Sequence, residues 1–230
     1  MYARVLTASL FGLSGEKTWA EVDCEQGLPA FNVVGLANQS VKESRDRIKS
    51  AIANCGFSFP MNRITVNLTP ANRKKDGSHF DLPIALALLI SADIAKVKDY
   101  DESFKAGKIA CFGELSLDGK VCAVDGALSM IIGLKKCGVD RIIIPRANLG
   151  EARLVKGMLI YPVDTLNEVI DYVTGFKAID AIEADGKTDY MVQADIPDFG
   201  DIKGQEQAKR AAQVAAAGMH GLLIFRFATR

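Results

Sequence analysis

The chain carries no net charge: Lys and Arg total 28, as do Asp and Glu, across 230 residues. That balance excludes a global electrostatic pull toward nucleic acid or an acidic membrane, although not a local basic face. No apolar run reaches the ~18 residues that a membrane span needs. Met1–Leu13 carries one early charge and alternates like a strand, unlike a secretory leader. The five cysteines (Cys24, Cys55, Cys111, Cys122, Cys137) are odd in number, scattered and without a CxxC pair. This argues against a disulfide framework or a zinc site and for reduced thiols. The expectation is a cytoplasmic protein outside the membrane. What the chain does have is apolar substance, 49% of its residues, enough for a sizeable core in one large or two small domains.

Periodicity predicts a β-rich start and then alternating helices and strands. YARVLTASL and TWAEVDCEQ alternate, and FNVVGL is short and apolar. A helix is expected from Ser40 to about Asn54, with Ser40 and Glu43 as a capping box and Val41, Ser44, Ile48, Ala51 and Ile52 on one face. Residues 63–70 read as a strand with Ile64, Val66 and Leu68 inward. Asp81–Ala92 is apolar all round, as in a helix buried against a sheet, and Pro83 fits its first turn. Residues 108–124 read as a hairpin turning at Asp118-Gly119, and 126–136 as a helix with the stripe Leu128, Ile131, Ile132 and Leu134. Strands at 140–145 and 157–163, a short helix at 147–155 and a helix over 165–174 capped by Thr165 and Glu168 follow. The class is a mixed α/β domain over 1–175. The polar, acidic, poorly periodic stretch 176–196 reads as a linker. In 197–230 a helix over 205–218 precedes an apolar strand at 221–225.

The most unusual string is RKKDGSHFDLP (73–83), with Asp76, Ser78, His79 and Asp81 close together. One reading is a hydrolytic site, Ser78 as nucleophile and His79 as base. Adjacent side chains diverge on a strand or helix, and triads are assembled through the fold. The other reading, which that geometry favours, is a loop feeding a helix: Asp76-Gly77 turns the chain and Ser78 or Asp81 caps. Lys42, Arg45 and Lys49, with Arg63 and Arg73-Lys74-Lys75, form either a DNA-contacting strip or a solvated face neutralised by Glu43 and Asp46; the second reading is preferred.

KDGSHFDLPIALALL, FGELSLDGKVCAVDGAL and GVDRIIIP together resemble the proteolytic domain of the Lon proteases, which shares the fold of ribosomal protein S5 domain 2. The resemblance places the nucleophilic serine at His79, with Ser78 in place of a proline, and the activating lysine on or near Met130. Methionine has no amine to lower the pKa of a hydroxyl. Lys135 and Lys136 lie further along the helix. The resemblance thus implies the fold without a Ser–Lys dyad.

Over residues 1–225 the chain is similar to the Mg-chelatase-like AAA+ ATPases of the ComM/YifB family. The matching strings are PAFNVVGL, SVKESRDRIKSAIANCGFSFP, RITVNLTPAN, GSHFDLPIALALL, FGELSLDG and DFGDIKGQEQAKRAAQVAAAG. One departure is Ala37, where the family usually has proline. The resemblance implies a hexameric, ATP- and Mg²⁺-dependent motor acting on DNA, including branch migration in natural transformation. It places Ile202, Gly204 and Gln205 where such motors border adenine. In the family a phosphate-binding Gly-rich loop ending in Lys-Thr or Lys-Ser follows LLIF (222–225); here Arg226–Arg230 follow. The expectation is therefore a non-catalytic N-terminal domain cut off before the phosphate-binding loop, with no bound cofactor of its own. A Ser78 peptidase and a free-standing interaction module are the alternatives. The tail is expected to dock loosely, because its sheet partners would lie beyond Arg230.

Overall fold

The long alternating run at the start needs a partner strand to satisfy its backbone, and the Gly12 turn (φ +59) supplies one by folding the chain back. In a computed structural model that describes residues 1–95, 104, 107–186 and 198–224, β1 (Tyr2–Phe11) and β2 (Ser14–Glu25) pair antiparallel over their whole length. The chain divides into two compact units, Met1–Thr188 and Asp189–Arg230.

In the first unit β3 (Ala30–Val34) leads through α1 (Gln39–Lys42) and α2 (Ser44–Asn54) to β4 (Arg63–Thr69), which returns between β2 and β3. A 3₁₀ turn (Ser78–Phe80) opens α3 (Asp81–Ser91). After β5 (Ile109–Cys111) comes the small hairpin β6 (Glu114–Leu115) and β7 (Val121–Cys122). Then follow α4 (Ala127–Lys136), β8 (Arg141–Pro145), α5 (Leu149–Ala152), β9 (Leu159–Val163), α6 (Leu166–Val173) and β10 (Ile182–Glu183). The eight strands of the main sheet run β10-β9-β8-β5-β1-β2-β4-β3. The sheet is mixed: β1–β5, β5–β8, β8–β9 and β3–β4 are parallel, β1–β2, β2–β4 and β9–β10 antiparallel.

Period-two alternation divides the strands between two cores. Val5, Val22, Ile64, Val66, Leu68 and Ile143 pack with α2, α3 and α6, while Leu6, Ala8, Ile142, Ile144 and Ile160 pack with α4 and the segment around Ala152. Every residue of α3 is buried, which explains its all-round apolarity.

Several expected details change. The helix expected from Ser40 to Asn54 is two helices; Asn38, not Ser40, is the first N-cap, accepting from Ser40 N at 2.9 Å. In the 108–124 hairpin only β6 and β7 pair with each other, because β5 is drawn into the main sheet beside β1 and β8. On α4 the inward face is Ala127, Met130, Ile131 and Leu134; Ile132 points outward. Thr165 caps α6 by accepting from Glu168 N, but the Glu168 carboxylate accepts from Asp164 N, one residue before the cap. The segment from 176, expected as linker, contributes β10 to the sheet edge, and Ala184 is buried beside it.

In the second unit Asp198 caps the turn Phe199–Asp201, and α7 (Glu206–Ala217) follows. The strand expected over 221–225 is not formed by the described residues up to Ile224, which are exposed; Phe225 and Arg226–Arg230 lie outside the described residues. A strand needs a neighbour for its N–H and C=O groups, and none is described. Among the described residues no helix is long and apolar enough to cross a membrane.

Candidate functional site

The loop between β4 and α3 is where backbone and polar side chains converge. Lys75 forms a parallel bridge with Ala37: its N–H donates to Leu36 O at 3.1 Å, and its carbonyl accepts from Asn38 N at 3.0 Å. Its side chain is buried, contrary to its expected place on an exposed basic strip, because the ammonium turns inward to donate to the carbonyls of Pro70 and Arg73. Burial lowers its pKa, against the pull of Glu16. Arg73 leaves the strip too, pairing with Glu16 and lying 4.6 Å over the Phe11 ring. Lys42, Arg45, Lys49, Arg63 and Lys74 remain exposed.

Gly77 (φ +110) supplies the sharp turn that follows. Its N–H donates to Ser40 Oγ at 3.2 Å, and that hydroxyl donates to Asp76 Oδ1 at 2.8 Å. Ser40, expected to cap the 40–54 helix, instead ties two loops together. The 3₁₀ turn is clamped against β6 by Gly113 N–His79 O and Leu82 N–Gly113 O bonds, both 3.0 Å.

The four polar residues of the string do not converge on one another. Ser78 Oγ donates to the Glu114 carboxylate. His79 is buried, with Nε2 3.1 Å from Ala8 O, so Nε2 carries the proton. Burial lowers its pKa to about 4, outweighing the Ala8 bond and Asp76, and keeps the ring neutral at pH 7. Asp81 caps nothing: it is fully buried and receives Arg47 Nε at 2.7 Å, an Arg47 terminal N–H at 3.0 Å and Leu115 N at 3.3 Å. Burial raises its pKa to about 6 despite Arg47. Met130 is fully buried in the core beneath α4. The imidazole at the expected nucleophile position therefore donates to a backbone carbonyl, and the serine beside it meets a carboxylate rather than an amine.

Arg47 and Glu114 are the partners that the residue pattern left unnoticed. A signal for Arg47 existed: it stands among Ser44, Ile48 and Ala51, the buried stripe of α2, and a cation there needs a buried anion. Asp81, the one charge in an otherwise apolar helix, is that anion. Nothing local marks Glu114.

His79 gives a pH-dependent prediction. With the folded pKa depressed below the ordinary value near 6.5, its contribution is present above that value and is lost as pH falls through about 4. His79→Gln is expected to cost most at pH 7, the difference from the parent shrinking by at most ~3 kcal/mol by pH 4. Urea unfolding of both proteins at pH 7, 5.5 and 4 measures this, and a constant difference would exclude a buried neutral imidazole.

In the second unit Ile202, Gly204 and Gln205 form an exposed turn with Gly204 (φ +72) and Gln205 (φ +56) left-handed. Lys209 Nζ donates to Ile202 O at 3.2 Å. Among the described residues no cluster of three His, Cys, Asp or Glu side chains is placed to hold a metal.

A family model described as subunit ChlI of Mg-chelatase matches residues 20–148, and a second, magnesium chelatase, subunit ChlI, matches 198–227. The chain is 37% identical over 220 residues to the protein YifB of Escherichia coli K12, covering 96% of this chain and 42% of that protein. It is 35% identical over 233 residues to the competence protein ComM of Haemophilus influenzae, with the same two coverages, 96% and 42%. A Lon protease of Chloroflexus aurantiacus is 25% identical over 170 residues, 69% of this chain and 20% of that protein. The chain thus spans less than half the length of the curated YifB and ComM proteins it matches. With one family model covering over half of its residues and such relatives aligned along nearly all of it, the chain belongs to the Mg-chelatase-like ComM/YifB family.

Proposed function

We propose that the first unit is a Lon-like, S5-domain-2-like domain that keeps the fold without the peptidase dyad and serves as the non-catalytic N-terminal part of an ATP-driven motor acting on DNA. The observation that supports this reading most is the pair at the two dyad positions: a buried, neutral His79 bonded to a backbone carbonyl, and a buried Met130. Neither supplies a hydroxyl nucleophile or an amine base. On this reading the second unit belongs to the motor domain, ATP and Mg²⁺ are the motor's cofactors, and the assembly is a hexameric ring. Ile202, Gly204 and Gln205 would line the adenine edge of the ATP site. The role in branched-DNA processing during transformation rests on the likeness to ComM and the family resemblance.

The test uses this 230-residue chain and a full-length counterpart. A serine-directed fluorophosphonate probe is expected to leave the chain unlabelled, and neither form should cleave a fluorogenic peptide. The full-length protein is expected to hydrolyse ATP faster with a four-way DNA junction than without, while this chain alone turns over none. Labelling at Ser78 that is lost in Ser78→Ala would replace this proposal with a peptidase. ATP turnover indifferent to DNA would remove the DNA role.

A further inference from the structure

β3 ends the main sheet, pairing with β4 on one side and with no described strand on the other. An unpaired outer row of N–H and C=O groups templates another strand, and folded proteins usually blunt such edges with inward charge, proline or a bulge. Ala30–Val34 contains no charge and no proline, and it pairs with β4 residue for residue without a bulge. Beside it lies a cleft of about 540 Å³ lined by Phe31, Asn32, Val33, Val34, Thr65 and the cations Lys42 and Arg63.

Those two cations are exposed and, among the described residues, take part in no ion pair or side-chain hydrogen bond. Glu25 stands directly across the β2–β4 ladder from Arg63 without closing to ion-pair distance. Two other cations, Arg47 and Arg146, are closed onto Asp81 and Asp164 at 2.7 and 2.6 Å. On this side of the ladder Arg63 is opposite Ala30, Thr65 opposite Asn32, and Asn32 and Val34 are exposed. The cleft therefore combines an open backbone edge, small apolar and amide side chains at alternate positions, and two exposed cations that close no ion pair among the described residues.

We propose that this edge is a docking site for an extended acidic peptide, added as a further strand beside β3, its carboxylates meeting Lys42 and Arg63. The backbone edge supplies the main-chain hydrogen bonds of strand addition, and the cations select the sign of the side chains. A second copy of the same edge is disfavoured, since an isologous contact would bring Lys42 and Arg63 of both copies to one seam. A nucleic acid strand would meet the cations and leave the backbone edge unpaired, with no exposed ring lining the cleft for its bases to stack on. This inference does not depend on the motor reading.

The experiment titrates the chain with three probes: an acetylated eight-residue peptide alternating Glu and Val, the same peptide with Lys for Glu, and the Glu peptide N-methylated at alternate residues. Binding is read by anisotropy of a labelled peptide and by amide chemical shifts of residues 30–34. The Glu peptide is expected to bind and shift those amides. The Lys peptide and the N-methylated peptide are each expected to bind at least tenfold more weakly. Arg63→Glu, on an exposed position, should weaken the Glu peptide about tenfold, and circular dichroism checks that the variant is folded. No binding of the Glu peptide, equal binding of the Lys or N-methylated peptide, or shifts away from 30–34 would overturn the proposal. Tighter binding of an eight-nucleotide oligothymidylate at the same amides would overturn it in favour of nucleic acid.

Discussion

Replacing Gly133 by alanine is expected to destabilise the first unit by ~3 kcal/mol or more, although alanine is the better helix former by ~1 kcal/mol. The two effects have opposite signs, and distance decides between them. A β-carbon at Gly133 would lie 2.0 Å from Gly15 O, 2.4 Å from Gly15 C and 2.8 Å from Gly15 Cα. The reverse contact is as close: a β-carbon at Gly15 would lie 2.3 Å from Ser129 O and 2.6 Å from Met130 Cα. All these atoms are backbone, so no rotamer change relieves the clash, and α4 must lift away from β2. Lifting it would open the core formed by Leu6, Ala8, Met130, Ile131 and Leu134. Gly150→Ala is the control: it too lies in a helix, a β-carbon there meets nothing within 4 Å, and without a clash it should leave stability unchanged or raise it by up to ~1 kcal/mol. Denaturant midpoints of the two variants read the contrast directly. Equal midpoints would mean that helix and hairpin do not approach this closely.

Arg47→Met is the second large effect, with an expected loss of ~3–5 kcal/mol at pH 7, because it strands Asp81 as a buried carboxylate. Asp81 is already raised to about 6 with Arg47 in place, burial being the larger cause. Without the guanidinium it is raised further, and the folded protein takes up a proton at pH 7. A carboxyl group with a raised folded pKa contributes stability that is full below its unfolded value and is lost as pH rises through the folded one. The cost of Arg47→Met should therefore shrink as pH falls from 7 to 5. His79 titrates in parent and variant alike and drops out of that comparison. The double variant Arg47→Met, Asp81→Asn should recover more than half of the loss. Urea unfolding at both pH values gives the coupling. A pH-independent loss with no recovery in the double variant would show that the arginine acts by packing alone.

Patterns set by neighbours in the chain were legible; partners set by the fold were not. The alternation of Ile64, Val66 and Leu68 and the unbroken apolarity of Asp81–Ser91 predicted a strand and a buried helix, and both are present. Their signal is the period itself. The removal of Ser40 from its expected cap was not readable, because its hydroxyl is held by Asp76 and Gly77, 36 and 37 residues away. Residues 176–183 looked like linker because a short edge strand needs little apolar content when β9 supplies the pairing.

The candidate site divides in the same way. The KDGSHFDLP string could be singled out from residue types, and the resemblance placed His79 and Met130 at the dyad positions. That His79 faces Ala8 O, that Ser78 meets Glu114 and that Lys75 is buried were decided only in three dimensions. Sequence by itself determined the mixed α/β class and the family, because covalent order fixes hydrophobic period and motif spacing. Tertiary structure alone decided which charges are paired and which are left open. Asp81 and Arg47 are 34 positions apart, and only the packing of α2 against α3 sets their separation, their exclusion from water and hence their protonation.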